Sequence, residues 1–292
     1  MTTEILKNVK EKNMIKKVIK KEKDNGFITV TTYEYQSISD VIDFIESNEQ
    51  KERFKEKNGG YSSIEGSYEF TQTHGFSEAY ELLKSGWEEG TKRLKDKLET
   101  KLKSVSTKQK TIYDVAGFQC SVPRYLQGVP TNMINKKTVS QKNKVITINK
   151  NISYGAFVSA DKITEECAKV LELINNLESN GCRVNLNIII GTTAANRYHD
   201  YADYVKICVK QASQKLNLKQ VAFPVMHPSM LRRIFFALME RYEEGYNFAN
   251  SYGRPLDSIK DFPKGIFRTN EYYLPRFTEE EKITDIEKYK VR

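Results

Sequence analysis

The chain has few of the residues from which most recognisable sites are built. Its three histidines (His74, His199, His227) and four cysteines (Cys120, Cys167, Cys182, Cys208) are scattered over 292 residues. No pair stands at the short spacing of a zinc knuckle or redox motif, which argues against a zinc-type centre. Cys167 and Cys208 fall on apolar stripes and read as reduced core residues. The chain lacks a GxxxxGK[ST] loop, a GxGxxG turn, a GxSxG elbow and an HExxH helix, which removes the commonest nucleotide and hydrolase readings. No apolar run approaches the roughly 18 residues that span a bilayer, and the lysine-rich start has no apolar segment, so no membrane association is expected and the chain reads as cytoplasmic. What is present suffices for a packed core: 39% of residues are hydrophobic and 11% aromatic. With 47 basic against 38 acidic residues, the net charge of +9 implies weak polyanion affinity without specificity.

Residues 1–25 hold eight lysines and a patchy helical stripe (Ile5, Val9, Met14, Ile15, Val18), and read as a frayed basic arm. Residues 26–143 read as an α+β N-terminal region. It opens with a strand from Phe27 to Tyr35 and a short helix capped by Ser37 and faced by Ile38, Val41, Ile42 and Ile45. A loop from Asn48 to Gly66 leads to a long helix from Ser77 past Leu98, marked by Tyr80, Leu83, Trp87, Leu94, Leu98 and Leu102. Gly86 and Gly90 flank Trp87, and each costs about 1 kcal/mol relative to alanine in a helix interior, so a kink or tight crossing is expected there. The segments Tyr113–Phe118 and Val122–Pro130 are punctuated by Gly and Pro, which predicts an ordered connector laid over a core. Lys136 to Lys144 is a basic linker or hairpin and the best boundary.

Residues 144–245 carry the clearest pattern. A strand from Val145 to Asn149 precedes a helix whose stripe is Ile163, Cys167, Val170, Leu171, Ile174 and Leu177, with Ser159 or Asp161 as cap and Gly181 as stop. A second strand, Arg183 to Ile190, becomes the continuous apolar run of a strand covered on both faces, and should pair parallel to the first. The plan then repeats: Tyr201, Val205, Cys208, Ala212 and Leu216 predict a helix, and Gln220 to Met226 a strand. Pro228 opens a final helix through Leu231, Ile234, Phe235, Leu238 and Tyr242 to Gly245. The order βαβαβα implies an α/β fold with a parallel-rich three-layer sheet. Residues 246–292 read as a C-terminal wrapping tail with a short helix from Thr278.

In such a sheet the strand ends share one carboxyl edge. They carry Asn149, Asn151 and Ser153, then Gly191, Thr192 and Thr193, then His227 and Ser229, with Arg232 and Arg233 a turn further on. These form a candidate interaction or anion site. The arginines near a positive helix end suit phosphate or carboxylate, or else pair with acids such as Glu240 or cover apolar surface with their stems. His227 has no visible acid or nucleophile beside it, so no catalytic residue is assigned.

The loop constellation resembles the metal-ion-dependent adhesion site of von Willebrand factor A-like domains, whose first loop reads Asp-x-Ser-x-Ser, and the likeness spans roughly residues 144–245. The matching positions are Asn151, Ser153 and Gly155, so an amide replaces the acid and the last hydroxyl is lost. Magnesium would be held weakly by such ligands, and no cofactor is expected. The resemblance implies a von Willebrand A-like or Rossmann-like core.

A second set of motifs is Phe70-Thr71-x-Thr73, Ser77-Glu78-Ala79, Gly86-Trp87-x-x-Gly90, Asp114-Val115-Ala116-Gly117-Phe118, Val122-Pro123-x-Tyr125-Leu126-x-Gly128-x-Pro130 and His227-Pro228-x-x-Leu231-Arg232-Arg233. It is similar to an uncharacterised bacteriophage protein family over about residues 65–245, which implies phage origin and the cytoplasm of a bacterial host, and supplies no activity. The resulting expectation is a non-enzymatic protein-interaction module with a degenerate metal-site loop, its partner a phage or host protein. The alternative is a nucleic-acid-binding protein of phage replication or packaging, using the lysine-rich segments with Tyr113 and Tyr125 as stacking rings. A third reading is an enzyme acting on a phosphorylated metabolite at Asn151, Thr192 and Arg232.

Overall fold

In the computed structural model, which describes residues 5–11, 14–23, 26–50, 63–64, 66–99, 109–138, 144–195, 199–242, 252–256, 258–262, 266–278 and 283–291, the chain begins with strands. β1 (Ile5–Glu11), β2 (Met14–Lys23) and β3 (Gly26–Tyr35) pair antiparallel in succession. The helical arm expected of residues 1–25 is therefore corrected. Met14, Lys16 and Val18 are buried while Ile15, Lys17 and Ile19 between them are half-buried, the period of two that belongs to a strand. Lysine on the buried face hides that period, and Lys16 is accommodated because it pairs across from Tyr33 with its Nζ 5.9 Å from the ring centroid.

α1 (Ile38–Ser47) starts where the Ser37 hydroxyl accepts from the Asp40 amide at 3.1 Å, and buries Val41, Phe44 and Ile45. After the single turn α2 (Tyr68–Thr71), the predicted long helix is broken into α3 (Phe76–Ser85) and α4 (Glu88–Glu99). The break falls at the predicted kink: Gly86 has φ +93° and lies so close to the backbone at Lys219 that a Cβ would meet the Lys219 carbonyl oxygen at 2.5 Å. Leu102 lies outside the described residues. β4 (Gln109–Asp114), β5 (Gln119–Cys120), α5 (Val122–Leu126) and β6 (Met133–Thr138) form a separate antiparallel sheet in the order β4-β6-β5.

β7 (Val145–Asn151), α6 (Ala160–Ser179) and β8 (Arg183–Ala195) build the expected unit, with β7 parallel to β8. Ser159 caps α6, Gly181 stops it at φ +84°, and the predicted stripe is buried from Ile163 to Ile174, with Leu177 half-buried. β8 continues past Ile190, so Thr192 and Thr193 stand in a strand rather than a loop.

The next two elements exchange type. β9 (His199–Lys210) occupies much of the predicted helix from Tyr201 to Leu216, and α7 (Leu218–Met226) occupies the predicted strand from Gln220 to Met226. On β9, Ala202 and Tyr204 enter one apolar cluster and Val205 and Ile207 another, so both faces are covered and a helix-like spacing arises by coincidence. On α7 every residue from 221 to 226 is buried, so no amphipathic period separates helix from strand. A π-helical stretch, Met230–Phe235, leads into α8 (Phe236–Met239). Gly245 lies outside the described residues. The C-terminal part adds β10 (Arg254–Pro255), β11 (Tyr272–Leu274) and the 3₁₀ turns Ile259–Asp261 and Ile286–Tyr289.

The main sheet has the order β1-β2-β3-β9-β8-β7-β11, with β10 also against β8. β3–β9, β7–β8 and β7–β11 are parallel and the other pairs antiparallel, so the sheet is mixed rather than parallel-rich and the βαβαβα repeat is not formed. α1, α3, α4, α6, α7 and the Met230–Met239 helix bury their apolar residues on one face. The opposite face is covered by Leu256, Ile259, Phe262 and Phe267, so the tail supplies the third layer, and Tyr273 of β11 joins it there. Segments at both ends of the chain thus complete the sheet around the β7-α6-β8 unit.

Candidate functional site

At the end of β7 the polar side chains are engaged with the protein itself. Asn149 donates to Glu271 Oε2 at 2.9 Å and accepts from Asn187 Nδ2 at 2.9 Å. Asn151 donates to Leu256 O at 2.8 Å and Tyr273 Oη at 2.9 Å, while its Oδ1 accepts from the Ser153 amide at 2.8 Å. Ser153 Oγ accepts from the Gly191 amide at 2.8 Å, and Thr193 Oγ1 donates to Tyr201 O at 3.0 Å. These bonds satisfy buried backbone and fasten the C-terminal segments to the sheet. Among the described residues no group of three or more His, Cys, Asp or Glu is placed to hold a metal.

The Met230–Phe235 stretch places two arginines in the interior. His227, just before it, accepts from the Ser229 amide at Nδ1 (3.1 Å) and lies between the edge-on Trp87 ring and the stacked Phe223 ring. Burial lowers its pKa to about 4, so the ring is neutral at physiological pH. Ser229 Oγ bonds Thr71 O and Thr73 Oγ1. Arg233 is fully buried and donates to Thr73 Oγ1 (2.7 Å), Ile64 O (2.9 Å), Ser63 O (3.0 Å) and Thr73 O (3.1 Å). Glu240, a candidate partner for the arginines, instead accepts from Ser63 N, Ser63 Oγ, Gln50 Nε2 and Tyr252 Oη. Sequence reasoning misses Ser63, Thr71 and Thr73 as site residues, although the Phe70-Thr71-x-Thr73 motif carries a signal for two of them.

Arg232 differs from its neighbour. It donates to Phe70 O, Val158 O and, at 3.4 Å, Gly155 O; its Nε is buried without a partner among the described residues. Burial pulls its pKa down to about 10. The side chain borders a cavity of about 350 Å³ at a seam in the sheet. β7 ends opposite Ile189, β8 runs on, and β10 pairs with Thr192 and Thr193 beyond that end. The cavity brings together Ser153, Thr192 and Arg232; Asn149, Asn151, Thr193, Ser229 and Arg233 do not line it, and His227 borders a different cleft of about 560 Å³ beside Trp87.

A second feature lies on the β4-β6-β5 sheet. The predicted connector is not laid over a core: no described side chain from 111 to 136 is buried, and Val115, Tyr125 and Leu126 are 69%, 63% and 78% exposed. Tyr113, Phe118 and Val122 are exposed beside them. The Arg124 guanidinium lies 4.2 Å from the Tyr113 ring centroid and the Lys136 ammonium 5.6 Å from that of Phe118. The turn before β5 is held tightly, since the Phe118 amide donates to Ile134 O at 3.0 Å and a Cβ on Gly117 would strike that same oxygen.

The fold and these two features define a mixed α/β protein with an arginine-bearing cavity and an outlying sheet with exposed apolar side chains. Residues 9–291 match the family model described as a domain of unknown function, DUF7192, and the chain belongs to that family. Comparison with curated proteins and with solved structures found no match. Among the described residues no helix is long and apolar enough to cross a membrane.

Proposed function

We propose that this protein is a non-enzymatic protein-interaction module whose contact surface is the exposed side of the β4-β6-β5 sheet and α5. The observation that carries this reading is the clustering of Tyr113, Val115, Phe118, Val122, Tyr125 and Leu126 as exposed residues within one short stretch. Large apolar side chains exposed together in this way mark interaction sites, and burying each is worth about 1.5–3 kcal/mol. A small sheet with no buried side chain among those described gains stability when a partner covers it. The partner fitting this face is a protein with an apolar surface flanked by carboxylates, which complements Arg124 and Lys136. Val115, Val122 and Leu126 favour protein over nucleic acid, because aliphatic side chains offer no ring to stack on bases. The likeness to an uncharacterised bacteriophage family supports a phage or host protein of the bacterial cytoplasm as that partner. In this reading the Asn151–Gly155 loop, a degenerate relative of the von Willebrand A-like metal loop, supports the fold and is not the contact.

The test uses the full chain and a Tyr125→Asp, Leu126→Asp variant, both checked for equal melting temperature. The wild type should take one saturable protein partner from infected-cell lysate, confirmed with purified components, and the variant should bind it at least tenfold more weakly. Undiminished binding by the variant would overturn the proposal. So would tight binding of single-stranded oligonucleotides that weakens steeply across a salt series and is lost in the variant, because that is the signature of the nucleic-acid reading.

A further inference from the structure

We infer that the cavity at the β7–β10 seam binds a small monocarboxylate with an apolar body, held by Arg232. This inference does not depend on the docking face. Arg232 is 2% exposed, and among the described residues no carboxylate lies within ion-pair distance of it. A buried cation whose partners among the described residues are neutral carbonyls and a ring has among them no counter-charge of the kind that normally accompanies burial, and an anion drawn into the cavity supplies it.

The geometry of the guanidinium defines where that anion sits. Its Cζ lies over the Phe70 ring, 3.9 Å from the centroid, and Phe70 O and Val158 O anchor its two Nη groups. Nε–H and one N–H of Nη2 project along the same edge of the fork. Nε has no partner among the described residues, and the Nη2 bond to Gly155 O is long at 3.4 Å, against 2.6 Å for the bond to Val158 O. Nε is closed to solvent, so a carboxylate reaches this edge by displacing the long Nη2–Gly155 O bond; it then accepts from Nε and from the freed Nη2 hydrogen, the side-on form of an arginine–carboxylate pair. Ser153 Oγ, which accepts from Gly191 N and borders the same cavity, can give its own hydrogen to the ligand.

The remaining walls select the rest of the molecule. Tyr154, Ile190, Leu231, Phe236 and Pro255 present rings and aliphatic groups, and about 350 Å³ falls within the roughly 300–1,000 Å³ range of small-ligand sites. A single cation among apolar walls suits one negative charge on a hydrocarbon body and disfavours a phosphate dianion, which would bring a second charge into an apolar site.

Because Arg232 also anchors Phe70 O and Val158 O, replacing it risks the fold, so the decisive measurement is made on the wild-type full chain. Phenylacetate and hexanoate are titrated against phenylacetamide, hexanamide and inorganic phosphate, following the arginine Nε–Hε resonances by ¹H–¹⁵N NMR with Arg232 assigned. At least one carboxylate should saturate, move the Arg232 Nε–Hε signal and raise the melting temperature. Its amide should bind at least tenfold more weakly, and phosphate should leave the signal in place. The inference fails if neither carboxylate saturates, if an amide binds within threefold of its acid, if phosphate matches the carboxylates, or if binding leaves the Arg232 signal unmoved.

Discussion

Replacing Arg233 by methionine is expected to lower the free energy of unfolding by about 3–5 kcal/mol, the cost of leaving two or three buried acceptors without a donor at about 1–3 kcal/mol each. The substitution keeps an unbranched stem of similar length, so loss of packing is the smaller part. What changes is that the acceptors of a fully buried guanidinium lose their donor: Thr73 Oγ1 and O, Ser63 O and Ile64 O, together with the longer contacts to Thr71 Oγ1 at 3.2 Å and Gly66 O at 3.3 Å. Each buried acceptor left unpaired costs about 1–3 kcal/mol, and a plain sum would exceed the range. It is not reached because Ile64 and Gly66 belong to exposed residues whose carbonyls can turn to water, whereas Thr71 and Thr73 are wholly buried and cannot. Apolar replacement of a buried ion pair is often neutral when both partners leave; here the acceptors stay behind. Against a total stability of about 5–15 kcal/mol this is a large fraction, readable as a drop in the urea midpoint at unchanged slope. Arg233→Lys, with one nitrogen in place of three, should fall between the two. A loss below about 1 kcal/mol for Arg233→Met would refute the assignment of Arg233 as the clamp on residues 63–73.

His227 makes stability depend on pH. Its folded pKa of about 4 lies below the unfolded value of about 6.5, so as pH falls below 6.5 the unfolded chain takes up a proton that the folded chain refuses. Stability contributed by the neutral ring is therefore complete above about pH 6.5 and declines by about 3 kcal/mol on approach to pH 4. Urea midpoints measured across that window should lose this slope in His227→Gln; an unchanged slope would assign it to other groups. Two glycines separate strain from clash. Gly86 (φ +93°) faces the Lys219 carbonyl, whereas Gly128 (φ +70°) has nothing within 4 Å of a new Cβ. Gly128→Ala should cost about 1–2 kcal/mol for left-handed backbone alone and Gly86→Ala clearly more, seen as the larger drop in melting temperature; the reverse order would contradict the close approach of α7 to Gly86.

Elements whose signals are local were legible in the sequence. The Ser37 and Ser159 caps, the Gly181 stop, the break at Gly86 and the stripe from Ile163 to Ile174 each depend on the conformation of a few neighbouring residues. The errors fall where burial is set from both sides or from far along the chain. Covering both faces of β9 and all of α7 erased the period that tells strand from helix, and only pairing with β3 and β8 decides the matter for β9. Lys16, on the buried face of β2, masked an alternation that becomes visible once Tyr33 lies across from it; Asn25-Gly26, whose glycine opens β3, was the unused hairpin signal. The sequence by itself determined that Ser153, Thr192, Arg232 and Arg233 were polar residues worth locating. Tertiary structure alone decided that Ser63, Ile64, Gly66, Thr71 and Thr73 occupy Arg233 while Arg232 borders a cavity with its Nε unpaired among the described residues, because contacts far apart along the chain decide which buried charge is satisfied. It likewise left Tyr113 and Tyr125 in solvent, since an aromatic stretch carries no local mark of whether a core will come to cover it.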